Sequence, residues 1–139
     1  MKKQTLAQGL TYSGALPFLV CAICSALDVD IFELDFNRIF IIYGAVIAAF
    51  ISGIHWGIYL FKNSAQNLFI HSNVVTLLAW FAAVAMLPSS GFILMFCFFY
   101  LLFIDKQLAN QGILEAWYLS MRIIASIIVL AALALNAFF

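Results

Sequence analysis

The stretch Ile39–Phe61, IFIIYGAVIAAFISGIHWGIYLF, decides how this chain folds. It runs for about 23 residues without an Asp, Glu, Lys or Arg, which at 1.5 Å per residue is enough helix to cross a hydrocarbon core of about 30 Å. Wound at 100° per residue, it separates by side-chain size. Ile47, Ile51, Ile54 and Ile58 fall together, flanked by Tyr43, Phe50 and Phe61, and read as a lipid-facing stripe. The opposite side carries Gly44, Ala45, Ala48, Ala49, Ser52, Gly53 and Gly57. Within it Ala45, Ala49, Gly53 and Gly57 recur at every fourth position, a spacing that lets helix backbones approach closely. These four are the expected packing residues, and His55 and Trp56 are the two large side chains on that side.

Working outward, four further apolar stretches appear at about 10–27, 68–87, 88–104 and 117–139. The fourth reaches spanning length only if Pro88–Ser90 supply its first turn, as proline does at helix starts. The expectation is an all-α, polytopic bundle of five transmembrane helices forming one membrane domain over residues 1–139. Composition agrees: 67% of the residues are hydrophobic and 9% charged, and mean hydropathy is +1.14. A soluble domain carries about 25% charged residues. A net charge of zero, without a Lys/Arg block, excludes nucleic acid as an expected partner.

Cations set the expected orientation. With five crossings, Lys2, Lys3, Lys62 and Lys106 share one side, joined by Arg122 just inside the fifth helix. Arg38 stands on the other side among Asp28, Asp30, Glu33 and Asp35. Positive loops stay in the cytoplasm, so the N-terminus is expected inside and the C-terminus outside. Lys2-Lys3 ahead of an apolar run resembles a secretory signal. Leu19-Val20 lack the small residue a lipoprotein signal wants before Cys21, and the segment is expected to remain as a first helix, bent or started at Pro17. Cys21, Cys24 and Cys97 all lie in apolar surroundings without neighbouring ligands and read as buried structural thiols.

Polar residues inside the spans mark where a function would reside. His55 lies about 9 Å, six residues, from the near end of its helix. Asn73 and Thr76 stand near the start of the third helix, Tyr100 and Asp105 close the fourth, and Arg122 opens the fifth. A carboxylate at a helix C-terminus opposes the helix dipole, so Asp105 is expected to pair with Arg122, with His55 converging on them. His55, Trp56, Asn73, Tyr100, Asp105 and Arg122 form the candidate ligand-binding cluster. His71, at the head of the third helix, invites pairing with His55 as haem ligands, but their depths differ. No catalytic set, metal motif or phosphate loop is present, and neither a cofactor nor an enzymatic activity is expected.

Leu10–Phe18 (LTYSGALPF), Tyr43–Gly57 (YGAVIAAFISGIHWG), Leu77–Trp80 (LLAW), Tyr100–Leu108 (YLLFIDKQL) and Trp117–Arg122 (WYLSMR) resemble the domain-of-unknown-function family 3429. The resemblance covers nearly the whole chain. That family includes bacterial inner-membrane proteins and the mitochondrial transmembrane-protein-69 group, and it implies a multi-pass protein of the bacterial inner membrane. It implies no activity. Leu114-Glu115-Ala116 depart from it, standing where a proline-containing turn is expected. On size and lack of catalytic motifs, the leading expectation is a non-enzymatic subunit or accessory factor of a larger membrane complex, bound to partner helices or to itself. The alternative is a binder of a small amphipathic ligand, a quinone or a lipid, at the polar cluster.

Overall fold

The structure, a computed structural model, describes residues 2–28 and 35–138. Among them are five helices and no strand: α1 Lys3–Ala26, α2 Phe36–Phe61, α3 Leu68–Ala85, α4 Ser90–Asn110 and α5 Ala116–Phe138. All five are long and apolar enough to cross a membrane. Asp30 and Glu33 of the acidic loop lie outside the described residues.

Local chemistry sets the ends. Asp35 caps α2, its carboxylate accepting from Arg38 N–H at 3.2 Å, and Asn67 caps α3 through Ile70 N–H at 3.4 Å. The α3 helix stops at Ala85, two residues earlier than expected. Met86 takes the left-handed conformation (φ 47°), and Pro88 disfavours helix at Leu87. The α4 helix runs six residues beyond Ile104, because Asp105-Lys106-Gln107 are good helix residues and nothing breaks the turn before Gly112. Gly112, at φ +75°, closes it with Gly112 N–H to Ala109 C=O and Ile113 N–H to Leu108 C=O, both 3.0 Å. Asp105 therefore sits about a turn and a half inside α4, not at its dipole end. The α1 helix likewise starts seven residues earlier than Leu10, since no breaker precedes Pro17.

Each helix packs on its sequence neighbour, α5 returns to α1, and α2 also reaches α4 across the ring. Phe18 of α1 sits at its centre, edge-on to Phe40 (5.4 Å between ring centroids), Tyr43 (4.9 Å) and Phe98 (6.0 Å). Tyr43 donates its hydroxyl to Gly14 C=O at 2.6 Å, in the turn crowded by the Pro17 ring. Ser90 Oγ–H bonds Ala82 C=O at 2.8 Å, and Asn136 Nδ2–H bonds Asn37 Oδ1 at 2.9 Å. At the opposite end Gln111 ties the α2–α3 link to α4, accepting from Ala65 N–H and donating to Gln66 Oε1, both at 2.9 Å.

The two faces of α2 match those expected from side-chain size only in part. Its buried side mixes sizes: Ile41, Gly44, Ala45, Ala48, Ile51, Ser52 and His55. A Cβ on Gly53 or Gly57 would meet nothing within 4 Å, and Gly53 is exposed. Ala49 is half-buried, so of the four small residues only Ala45 is in the core. The closely packed glycine is Gly44, where a Cβ would lie 2.9 Å from Leu94 Cδ1 and 3.4 Å from Phe18 Cε1. The reason is crowding: α1, α3 and α4 all pack against α2, so large and small side chains alike are drawn to its buried side.

Candidate functional site

Three of the polar residues meet. His55 Nε2 lies 2.7 Å from Asp105 Oδ1, and Arg122 Nε donates to Asp105 Oδ2 at 3.0 Å. Their exposures are 2%, 1% and 6%, so the group is closed to solvent. Depth explains the meeting. His55 is about 9 Å from the end of α2, Asp105 about 7.5 Å from the end of α4, and Arg122 about 9 Å from the start of α5. All three are at the end of the bundle that carries Lys62 and Lys106. Asp105 uses both carboxylate oxygens, so a single residue of α4 ties α2 and α5 together. A buried charge is tolerated only when paired and hydrogen-bonded, and each of these depends on the others. The Asp105 carboxylate thus faces the Arg122 guanidinium as its counter-charge.

Trp56, Asn73 and Tyr100 are elsewhere. Trp56 is exposed and packs on Phe69, with ring centroids 4.9 Å apart. Asn73 is exposed and donates to Phe69 C=O at 2.8 Å. Tyr100 is hydrogen-bonded through its hydroxyl to His71 Nδ1 across the α3–α4 contact. Glu115 is hydrogen-bonded to Trp117 Nε1 at the entry to α5, where the departure from the family pattern falls.

Beside the buried group lies a cavity of about 360 Å³ enclosed by α1, α2 and α5 and floored by Phe98 of α4. It spans Ala7 to Phe18 on α1 and Tyr118 to Val129 on α5, about 16 Å along each helix. Ile47, Ile51 and Ile54, read from the sequence as lipid-facing, line this slot instead. Both environments are apolar, and periodicity does not tell them apart. Leu10 and Phe50, on its rim, are 65% and 68% exposed, so the slot opens toward the lipid side of the bundle. Among the described residues Arg122 is its one charged lining residue, placed toward the end where α5 begins.

Ser126, one turn after Arg122 on the same face of α5, also lines the slot. Arg122 Nη2 and Ser126 Oγ are buried and have no hydrogen-bond partner, whereas buried polar atoms are ordinarily paired. Sequence reading missed Ser126. The signal was its four-residue spacing from Arg122, which puts both side chains on one face.

Residues 3–138 match the family described as protein of unknown function (DUF3429), and the chain belongs to that family. Comparison with curated proteins and with solved structures gives no match.

Proposed function

We propose that this member of the DUF3429 family holds a small amphipathic molecule, a quinone or a lipid, within the bilayer. The observation that carries the reading is the slot: an apolar channel open toward lipid, with a buried guanidinium near one end. Its volume falls in the range of small-molecule sites, about 300–1,000 Å³. The polar groups stand in the leaflet that the Lys residues mark as cytoplasmic, and the tail of the ligand runs toward the bilayer midplane. In this reading the protein sits in the bacterial inner membrane with its N-terminus inside, and it binds or carries rather than catalyses. The test is mass spectrometry of small molecules released from protein extracted in mild detergent. One class enriched over bulk lipid, at about one per chain, is the expected result. A chain that releases only bulk lipid overturns the reading.

A second reading, an accessory subunit of a larger membrane complex, draws on the bare strip of α2. Gly53 and Gly57, where an added Cβ would meet nothing within 4 Å, give a partner helix room to approach. Native mass spectrometry showing a stoichiometric protein partner or a second copy would favour it. A monomer would count against it.

A further inference from the structure

We infer that the head group of the ligand is uncharged and accepts hydrogen bonds: a carbonyl oxygen, as in a quinone or an ester, rather than an acid. The inference rests on the ligand-binding reading above. Two observations carry it. First, the partnerless groups of two residues that line the slot are donors. Arg122 Nη2 can only donate, and Ser126 Oγ–H is free to do so. A guanidinium keeps its proton, so whatever completes Nη2 must be an acceptor.

Second, the positive charge is already matched. Asp105 Oδ2 takes Arg122 Nε at 3.0 Å, and its other oxygen takes His55 Nε2 at 2.7 Å. The α1 and α2 walls contribute no charged side chain, α4 contributes Phe98, and on α5 the phenol of Tyr118 is the other titratable group. Lys106, next to Asp105, is exposed and is not among the residues lining the slot. An acid entering the slot would leave a net negative charge in a dry, apolar place, where unbalanced charge is most costly. A neutral carbonyl completes the two donors and leaves the balance unchanged.

The test uses the full chain in dodecyl maltoside micelles, which contain no carbonyl, and four probes of matched tail length. These are an alkyl benzoquinone, a monoacylglycerol, an alkyl sulfonate that is ionised at every pH, and the plain alkane. Equilibrium binding is read against protein-free micelles. The wild type should hold the better of the two carbonyl probes at least tenfold more tightly than the sulfonate or the alkane. Whichever of the two carbonyl probes binds more tightly identifies the source as quinone or ester lipid. Ser126→Ala should weaken that binding about tenfold, the cost of one hydrogen bond, and leave the alkane unchanged. Asp105→Asn removes the counter-charge and should shift preference toward the sulfonate; if that variant does not fold, Ser126→Ala still decides. A wild type that prefers the sulfonate overturns the neutral-head inference and leaves the ligand reading standing. Equal binding of alkane and carbonyl probes also overturns it. Four probes held no better than by empty micelles overturn the ligand reading itself.

Discussion

Asp105 is the residue whose removal leaves most behind. Without it, Arg122 keeps a full charge among apolar side chains and His55 loses its acceptor. Breaking a buried pair costs about 3–5 kcal/mol, since the survivor is uncompensated. Asp105→Ala should therefore destabilise the protein in detergent by an amount in that range. Arg38→Ala, at an exposed position before the core of α2, should stay within about 0.5 kcal/mol. Thermal unfolding of the two variants side by side checks this, and equal losses would mean that the buried group does not hold the helices together. At this scale the sequence was informative about depth in a coarse way: it put His55, Asp105 and Arg122 in the same third of the bundle. It put Trp56 on the packed side of α2, where the structure leaves it exposed, and it was silent about azimuth for Asn73 and Tyr100. Depth follows from a linear count, whereas azimuth depends on which neighbours each helix acquires.

Among the elements, α2 shows where pattern stops being enough. Its apolar length marked it as a span, and its contacts with α1, α3 and α4 make it central. The size stripe held only in part: Gly44, Ala45, Ala48, Ser52 and His55 are buried, while Gly53 is exposed and Ile51 is buried. Gly44→Leu should disrupt folding, because its Cβ would already lie 2.9 Å from Leu94 and overpacking costs about 1–3 kcal/mol. Gly53→Leu should leave the unfolding temperature of the isolated chain nearly unchanged. If it instead abolishes association with another chain while the fold persists, the bare strip is a docking face. Equal damage to folding from both changes would refute the faces described for α2. The long α4 carries a related lesson: a hydropathy window ended at Ile104, while the helix ended where backbone chemistry at Gly112 required it. Asp105 thus belongs to the helix body, and its partner is chosen by burial rather than by the dipole.

At the scale of the whole molecule, five spans and their order were readable from apolar run lengths alone, because the bilayer forces backbone groups to pair within each span. The slot was not readable, since its walls have the same composition as lipid-facing helix. The proposed topology rests on the cations. With the native cysteines replaced, Ser64→Cys should label from the cytoplasm and Ser89→Cys from the opposite side; reversed accessibility would invert the orientation proposed here.

The central claim is that the slot beside Arg122 holds a ligand, and Ala125 offers the most direct test. It is buried and lines the slot one turn from the guanidinium, so Ala125→Phe fills the space while leaving His55, Asp105 and Arg122 in place. The measurement is native mass spectrometry of the wild type and this variant, purified in parallel. The account predicts a small molecule retained by the wild type and lost from a variant of unimpaired thermal stability. The same molecule retained by Ala125→Phe at the same stoichiometry would contradict it.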